Sequence, residues 1–593
     1  MAAPVASAPL KTLGKRQQYQ LLQSQLDLEY SSFRAQHQDL SENVLPFRGR
    51  FFVSDVNKGD RRNLRIIDNT ATTAARTASS GMMAGITSPA RNWKRLTTPD
   101  PKLAEYSRVK EWLNVVDNRM STYFSKSNLY QVLPTLYLDL INFGTSAMMV
   151  EEDLDKVFRF YSFPVGSYRL AKGADGKICV FFREFRMTVR QVVEKFGQRD
   201  AAGNMDWSNI SLNVQNLYTQ GQLEVWVDVC HLIQPNEKWN PYSLKSKLAK
   251  NKKYISVYYE KGISGQVNAN LNNDMDDRML RESGYDYFPV LAPRWQVTGE
   301  DVYATDCPGM TAIGDIKQLQ HGERRGGQAL DKIVNPPMKG PTSMKTSKAS
   351  IISGDITYVD EQQQGQAFTA AHEVRLGLMD LEQKQEAVRA RIRKAYYEDM
   401  FLMLAESDRR TITATEIDER REEKLLALGP VLEQLNQDVL DPLIEIAFFL
   451  MQQQGLIPEA PEELQGQPLK IEYISIMAQA QKLIGVTSIE RVFNFTAGVI
   501  KMNPASADKV DFDEMIDAYA EAVGVSPEII RDDEETAAIR EAHQQQMAAQ
   551  QKSEQIAALS QSAKNLAQSP TDGDNALTRL MQAAKAGELA PNG

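Results

Sequence analysis

The residue types best suited to catalysis or metal binding are scattered along this sequence. Five histidines occur in 593 residues and no two lie four positions apart, so no helix presents a histidine pair to a metal ion. The patterns G-x-x-x-x-G-K-[ST], G-x-S-x-G and H-E-x-x-H are missing. Gly173–Lys177 resembles part of the first pattern, but it is too short to cradle a triphosphate. We therefore predict no catalytic residue, no cofactor and no resident metal ion.

Carboxylates leave one enzymatic hypothesis open. The chain has 77 Asp and Glu residues, and a nuclease site can be assembled from carboxylates that are distant in sequence. Asp274, Asp276 and Asp277 lie together, but they lack the spacing and the turn glycine of a calcium-binding loop. A solvated acidic loop is the better interpretation. A carboxylate-metal, nuclease-like enzyme of nucleic acids remains the alternative hypothesis.

The composition is that of a folded protein with several domains. Hydrophobic residues make up 42% and charged residues 24% of the 66.7 kDa chain, and the length suggests roughly four domains. The three cysteines are far apart, which favours a reducing compartment without disulfides. The apolar run Ile444–Met451 is much shorter than a membrane span, and the N-terminal residues lack the pattern of a secretion signal. We expect no membrane partner.

Charge is distributed unevenly along the chain. The formal net charge is -9, yet residues 505–541 contain 12 acids and 3 bases and therefore account for all of it. Residues 69–99 and 332–354 contain four bases each and no acid. This pattern suits a protein that meets DNA locally without binding it tightly, although ordinary solvated surfaces would look the same.

The first half of the sequence predicts a mixed arrangement of helices and strands. Helices are predicted over 10–40 and 101–124, and the small-residue run over 66–87 is either a close-packed helix or a flexible loop. From Val157 the apolar residues recur every second position, with a turn at Asp175–Gly176. Further strands are predicted over 223–233, 254–259 and 288–297, with loops over 197–223 and 262–284.

The second half is predominantly helical. A helix is predicted over Pro308–Val334, whose five glycines suggest close contact with neighbouring helices. His372–Ala405 has 34 residues without proline, which predicts an uninterrupted helical rod of about 51 Å. A local coiled-coil hairpin is the alternative for this segment. Ser407–Arg410 interrupts the helical pattern.

The C-terminal third begins with a predicted N-cap, the T-x-x-E pattern at Thr413. The helix that follows should kink or divide at Pro430 and Pro442 and end at Gly455. A strand is predicted over 469–476, an acidic helical segment from Asp511, and a flexible end.

The order of these parts resembles that of the portal, or head-to-tail connector, of short-tailed bacteriophages (podovirus type). The similarity lies in four blocks, together somewhat over a fifth of the chain: Asp68–Pro101, Pro289–Gln320, Thr411–Pro458 and Ile471–Lys482. The third block is the most specific, whereas Glu151–Gly284 carries no matching motif. The resemblance implies an α+β portal-type subunit with a mixed αβ wing, a two-helix stem, a small clip and a helical crown, assembled as a ring.

The resemblance also implies domain boundaries. They are 1–305 for the first part of the wing, 306–334 for the first stem helix, 335–371 for the clip, 372–405 for the second stem helix, 406–412 for the tunnel loop, 413–505 for the second part of the wing, 506–552 for the crown and 553–593 for a flexible tail.

Such a protein would be a structural component of the virion portal vertex, synthesised in the host bacterial cytoplasm. The implied partners are further copies of the chain (usually twelve), double-stranded DNA, the terminase motor, a tail adaptor protein, and the major capsid and scaffold proteins. The tunnel-loop residues Ser407, Asp408, Arg409 and Arg410 would face the DNA. The two arginines would otherwise pair with Glu406 or Asp408.

The clip lysines Lys339, Lys345 and Lys348 would face either DNA or the adaptor. A coiled-coil scaffold without a channel is a third hypothesis, and the strand-rich region argues against it.

Overall fold

The protein is described here by a computed structural model. The structure describes residues 14–52, 61–100, 103, 106–199, 205–239, 248–261, 279–334, 338–339, 369–370, 378–406, 428–464, 466, 469–474, 492–501, 509–523, 533–567 and 582. These residues form two compact units, Met1–Ile484 and Gly485–Gly593. The division falls inside the segment 413–505, which the resemblance assigns to the wing.

The first unit combines long helices with short antiparallel strands. Its helices are α1 (Lys15–Asn43), α2 (Thr70–Ile86), α3 (Ser107–Lys126), α4 (Leu129–Phe143), α5 (Val189–Phe196), α6 (Leu212–Thr219), α7 (Pro308–Val334), α8 (Leu378–Ala395), α9 (Glu398–Glu406), α10 (Gly429–Leu435) and α11 (Asp441–Gln453), with a π-helical turn at Asn436–Leu440. Its strands are β1 (Lys94–Thr97), β2 (Ala147–Asp153), β3 (Val157–Phe163), β4 (Tyr168–Lys172), β5 (Ile178–Thr188), β6 (Gln198–Arg199), β7 (Met205–Asp206), β8 (Trp226–Pro235), β9 (Tyr254–Glu260), β10 (Arg281–Tyr285), β11 (Val290–Leu291), β12 (Met338–Lys339), β13 (Thr369–Ala370) and β14 (Lys470–Tyr473).

The strands form one five-stranded antiparallel sheet in the order β10-β9-β8-β5-β4 and one three-stranded sheet in the order β11-β2-β3. Three two-stranded sheets pair β1 with β14, β6 with β7, and β12 with β13. The α+β class predicted from the sequence is confirmed. The β1–β14 pairing matters for the domain plan, because it joins Lys94–Thr97 to a strand more than 370 residues further along the chain.

The alternating pattern after Val157 forms strands as predicted. β4 and β5 are joined by a tight turn in which the Gly173 N–H donates to the Lys177 carbonyl, and Gly176 has a φ of 76°. That left-handed conformation is the one that glycine adopts most readily, which explains the Asp175–Gly176 signal.

Three strand and loop predictions need correction. Only Val290–Leu291 forms a strand within the predicted strand 288–297, because β11 pairs with β2 over just two residues. The predicted loop over 197–223 contains α6, whose N-cap Ser211 accepts a hydrogen bond from the Val214 N–H. The predicted loop over 262–284 contains β10, which is stabilised by pairing with β9. Asp274, Asp276 and Asp277 lie outside the described residues.

The small-residue run of the N-terminal half is a close-packed helix, the first of the two alternatives. α2 buries Ala74, Ala75 and Ala78 completely, and a Cβ added at Gly81 would overlap Phe401 of α9. Small side chains allow α4, α8 and α9 to approach the α2 backbone closely.

The predicted straight rod over His372–Ala405 is wrong. α8 ends at Ala395, Tyr397 has a φ of 54°, and α9 begins at Glu398. Tyr396, Met400 and Phe401 are buried, so the bend turns both helices onto the core where a straight rod would extend into solvent. Tertiary packing therefore outweighs local helix propensity at this point.

The helical segment after Leu428 is divided as its prolines predict. Pro430 lies in the first turn of α10 and Pro442 in the first turn of α11. The π-helical turn Asn436–Leu440 separates them, because Pro442 has no N–H to continue the hydrogen-bond ladder. α11 ends at Gln453 and Gly455 has a positive φ, as predicted. The residues of the predicted capping box, Thr413 and Glu416, lie outside the described part.

The described residues of the second unit are almost all helical. It contains α12 (492–501), α13 (Phe512–Val523) and α14 (Asp533–Ala567). Arg540 of α14 forms an ion pair with Asp513 of α13. The boundary predicted at residue 552 falls inside α14, so the helix continues into the segment that was predicted to be a flexible tail.

The prediction that close contacts explain the glycines of α7 is confirmed for some of them. A Cβ at Gly309 would overlap the Asn142 carbonyl of α4, and one at Gly326 would lie 3.1 Å from Leu381 of α8. Gly314 and Gly327 have open space around them. Contacts within one chain therefore explain Gly309 and Gly326, but they do not explain Gly314 and Gly327.

The glycines of α7 allow a matched substitution test. Gly309→Ala should destabilise the chain by about 1–3 kcal/mol, because backbone must move to admit the methyl group. Gly314→Ala in the same helix should stabilise it by about 0.5–1 kcal/mol, because space is open and alanine favours helix. Denaturant unfolding of the two variants checks this, and equal effects would contradict the packing described.

A second prediction concerns His37 of α1, which is buried among Tyr30, Phe143 and Tyr303. Burial lowers the pKa of His37 to about 4. Between pH 6.5 and 4 the unfolded chain therefore binds a proton that the folded chain does not, so stability falls as the pH falls, by roughly 3 kcal/mol in total. His37→Gln should reduce this pH dependence, as measured by thermal unfolding at pH 7 and pH 5.

The exposed His543 provides the control for that experiment. His543→Gln should leave the pH dependence of the unfolding temperature unchanged. A His37→Gln variant with the full pH dependence of the original chain would contradict the account.

Candidate functional site

The residues predicted to meet DNA or an adaptor follow α7 or α9 in the sequence. Ser407, Asp408, Arg409, Arg410, Lys345 and Lys348 are outside the described residues. Lys339 belongs to β12 and is paired with Thr369 of β13. The structure therefore shows the elements that carry these segments and does not test the residues themselves. β12 and β13 hold the two ends of segment 340–368 side by side.

The central feature of the described site is an antiparallel pair of helices, α7 and α8. Asp315 and Glu323 of α7 form ion pairs with Arg391 and Arg389 of α8, and Gly326 lies against Leu381. Val388 and Ile392 form the buried face of α8. The chain leaves α7 toward the predicted clip and leaves α9 directly into the predicted tunnel loop.

Both helices are anchored on the C-terminal end of α4, at Asn142. The Tyr396 hydroxyl donates to Asn142 Oδ1 at 2.9 Å, and Cys307 Sγ donates to the Asn142 carbonyl at 3.3 Å. The first turn of α7 fits there because Gly309 has no side chain. The start of α7 and the bend between α8 and α9 are thus held at one point. Burial raises the pKa of the Cys307 thiol to about 12, so Cys307 is not a reactive thiolate.

Arg389 links α8 to α7 and to the segment before α2. Its guanidinium lies 2.8 Å from Asp68, 2.5 Å from Glu323 and 3.2 Å from Glu386. Burial opposes ionisation of Asp68, but hydrogen bonds from Thr70 and Arg389 outweigh it, so the pKa of Asp68 is lowered. A side chain shared among three carboxylates is fixed in place and is unavailable to a phosphate.

Gln320 strengthens the same contact from α7. Its Oε1 accepts from the backbone N–H groups of Ile67 and Asp68, at 2.6 and 3.0 Å, and its Nε2 donates to the Asp68 carbonyl. The chain before α2 is therefore tied to the helix pair by both backbone and side-chain hydrogen bonds.

The three arginines of α8 are held by carboxylates. α7 and α8 together contain nine Lys and Arg and six Asp and Glu, so the helix pair has a net charge of +3. Arg391 is paired with Asp315, and Arg393 with Glu386. These ion pairs limit phosphate binding by the α8 arginines.

The segmented helix after the predicted tunnel loop is clamped at its π-helical turn. Arg294 donates two hydrogen bonds of 3.1 Å to Asp438, which has a side-chain exposure of only 8%. The Tyr473 hydroxyl of β14 donates to Asp441. Burial is the main cause that raises the pKa of Asp441, and the hydrogen bond from Tyr473 opposes it. These contacts hold α10 and α11 against the strand region.

One basic segment needs correction. Lys94, one of the four bases of residues 69–99, is buried, and its Nζ lies 2.5 Å from Asp117. It is therefore a partnered core residue and does not belong to a surface patch.

The sequence does not single out Asn142, Arg294 or Arg389. The ion pair of Arg389 with Glu386 can be predicted from their spacing of three residues. The ion pair of Arg389 with Asp68 cannot, because the two residues are 321 positions apart. Arg294 and Asp438, or Asn142 and Tyr396, can be paired only once the fold is known.

Among the described residues, no three His, Cys, Asp or Glu side chains lie close enough together to hold a metal ion. No helix in the described ranges is long and apolar enough to cross a membrane.

Comparison with known proteins extends along almost the whole chain. The family described as "Bacteriophage head to tail connecting protein" matches residues 16–530. The "Portal protein" of Salmonella phage epsilon15 is 45% identical over 563 residues, which cover 95% of this chain and 97% of that protein. The "Probable portal protein" of Bordetella phage BPP-1 is 40% identical over 562 residues, 94% of this chain and 96% of that protein.

The ion pairs of α8 predict different costs for two arginine substitutions. Arg389→Ala should destabilise the chain by about 1–3 kcal/mol, because it leaves the partly buried Asp68 and Glu323 without their shared cation. Arg391→Ala should change stability by about 0.5 kcal/mol or less, because Arg391 is half exposed and has one partner. Denaturant unfolding compares the two, and an equal cost would contradict the network.

Proposed function

The chain belongs to the family of bacteriophage head-to-tail connecting proteins, and on that basis we propose how it performs the structural portal role. Copies of the chain, twelve in number, form a ring around an axial channel that conducts double-stranded DNA during packaging and ejection. The observation that carries the role is the similarity to a phage portal protein along 95% of the chain. The alignment leaves no major part of the described fold without a counterpart in that relative.

The exposed apolar residues of the helix pair support ring formation. Leu330, Ile333 and Val334 at the end of α7 are 47%, 39% and 77% exposed, and Met379 at the start of α8 is 83% exposed. Because the helices are antiparallel, these residues lie near the same end of the pair. Neighbouring subunits that cover such a patch would gain free energy from its removal from water. The open faces of Gly314 and Gly327 would admit a close neighbour.

We assign the parts of the chain accordingly. The wing comprises residues 1–305 and 413–505, the stem comprises α7 and 372–405, the clip 335–371, the tunnel loop 406–412 and the crown 506–552. Support for a divided wing comes from the β1–β14 pairing and from the Arg294–Asp438 ion pair, each of which joins the two parts. Support for the clip comes from β12 and β13, which close its base.

The proposed DNA contacts are rings of side chains supplied once by each subunit. Arg409 and Arg410 of the tunnel loop would face the DNA and touch phosphates transiently, while the ion-paired arginines of α8 would let it slide. Lys339, Lys345 and Lys348 would form a second basic region that meets DNA or the tail adaptor.

The proposed partners follow from a connector at one capsid vertex. The ring would dock the terminase motor during packaging and then the tail adaptor, and it would contact the major capsid and scaffold proteins. It would be synthesised in the host bacterial cytoplasm and retained at the portal vertex of the virion. We propose that it hydrolyses nothing itself, so the energy for packaging comes from the motor.

The ring interface is tested by a charged substitution at the exposed end of α7. Val334→Glu should reduce ring assembly at least tenfold without unfolding the chain, because it places a charge in the proposed subunit contact. Gln328→Glu adds the same charge at an exposed polar position of the same helix and should assemble normally. Sedimentation velocity measures the assembled fraction, and equal assembly of both variants would exclude this end of α7 from the interface.

The tunnel-loop assignment is tested by Arg409→Ala combined with Arg410→Ala. Rings should still form, whereas DNA packaging or retention in particles should change several-fold, because a ring of phosphate contacts is lost. Arg420→Ala with Arg421→Ala removes a second pair of arginines, located 11 residues further along, and should have less effect on DNA. Failure of the first variant to assemble would contradict the assignment.

The nuclease alternative is tested with the same purified protein. Incubation with plasmid DNA and Mg²⁺ should leave the DNA intact. Cleavage that one Asp→Asn substitution abolishes would favour the enzyme over the connector.

A further inference from the structure

A cavity on the strand-rich side of the first unit has a chemistry that the connector role does not require. It encloses about 830 Å³ between α1, β3, β4 and β5. Five arginines and two acids line it, so its lining carries a net charge of +3. The lining arginines are Arg34, Arg50, Arg169, Arg183 and Arg186. We call this cavity the arginine pocket.

Two of these arginines are already neutralised by neighbouring carboxylates. Arg169 pairs with Asp27 at 2.7 Å, and Arg186 pairs with Asp228 at 2.8 Å. The other acid of the lining, Glu184, pairs with Lys261. These ion pairs lock the walls of the pocket and contribute no uncompensated charge.

The remaining three arginines have no carboxylate partner in the part of the chain that the structure describes. Arg34 donates to the Phe51 carbonyl and lies over the Phe52 ring, 4.7 Å from its centroid. Arg183 lies 4.6 Å and 4.2 Å from the ring centroids of Phe163 and Phe185. Nε of Arg50 and Nε of Arg183 are buried without a hydrogen-bond acceptor. Three guanidinium groups without a carboxylate partner around one cavity suit a ligand that carries an anionic group.

The rim of the pocket is aromatic. Phe52 is 60% exposed and Tyr161 39% exposed, although large aromatic side chains gain free energy when they are covered. A ligand that fits both features carries an anionic group for the arginines and an apolar or aromatic group for the rim.

We propose that the arginine pocket binds an acidic, aromatic peptide segment of a partner protein, with a carboxylate between Arg50 and Arg183 and an apolar side chain against Phe52. A guanidinium fork matches a carboxylate in geometry, so the planar arginines favour this ligand over a neutral one. A DNA duplex is too wide to enter a cavity of this size. Asp27 and Glu184 of the lining can accept hydrogen bonds from the backbone N–H groups of a peptide.

The experiment selects peptides from a displayed random library with the full-length protein and measures the enriched sequences by fluorescence anisotropy. The proposal predicts enrichment of peptides that contain Asp or Glu close to an aromatic residue. Arg50→Ala with Arg183→Ala should weaken their binding at least tenfold, and so should replacement of the peptide acids by Gln or Asn. Arg190→Ala, an exposed arginine outside the pocket that pairs with Glu224, should leave the affinity unchanged.

A second variant covers the case in which the double variant fails to fold. Phe52→Ala truncates an exposed side chain and should weaken binding about fivefold. Enrichment without acidic residues, or unchanged affinity in the folded pocket variants, would overturn the proposal. Binding of a ten-residue oligothymidylate that displaces the peptides with equal or higher affinity would also overturn it and assign the pocket to single-stranded nucleic acid. Binding is measured on the chain whether or not it assembles, so failure of the ring model and failure of this proposal are distinguishable.

Discussion

The arrangement of the central helices depends on one buried asparagine. Asn142 at the end of α4 accepts a hydrogen bond from Tyr396 at the bend between α8 and α9, and its backbone contacts Cys307 and Gly309 at the start of α7. α4 ends there because Gly144 adopts a left-handed conformation. The three helices therefore meet where none of them can shift without breaking a buried contact. The contacts at Asn142 therefore fix the start of α7, which leads to the clip, and the bend before α9, which leads to the tunnel loop.

The distribution of charge follows from the same packing. Arg389 and Arg391 of α8 face carboxylates of α7 and of the segment before α2, so they stabilise the helix pair and are themselves neutralised. A ring repeats each local charge in every subunit, so an unpaired arginine would become a belt of cations around the channel. A channel through which DNA must move needs few such rings of cations, because each of them binds phosphates. The ion pairs within each chain thus stabilise the helix pair and also reduce DNA binding by the α8 arginines.

The sequence predicts the elements whose signals are local. α7 begins and ends at the residues expected from Pro308 and Val334, the β4–β5 turn follows from Asp175–Gly176, and Pro442 explains the division between α10 and α11. Family membership was also recognisable, because the blocks from Asp68 to Lys482 occur in the order typical of connectors.

The errors have a common physical origin in contacts between distant residues. The rod bends at Tyr397 because Tyr396 and Phe401 gain more from burial against α4 and α2 than the helix loses in hydrogen bonds. The sequence predicts a surface base at Lys94, because its ion-pair partner Asp117 lies 23 residues further along the chain. The site residues of the tunnel loop and most of the clip stay predictions, since they lie outside the described ranges.

Whether this chain forms the ring of a connector can be measured by particle mass together with negative-stain electron microscopy of the purified full-length protein. We expect rings with a central hole and a mass of roughly 0.8 MDa, which is twelve times the 66.7 kDa of one chain. Particles that stay monomeric or dimeric at high protein concentration, or compact assemblies without a hole, would exclude such a ring.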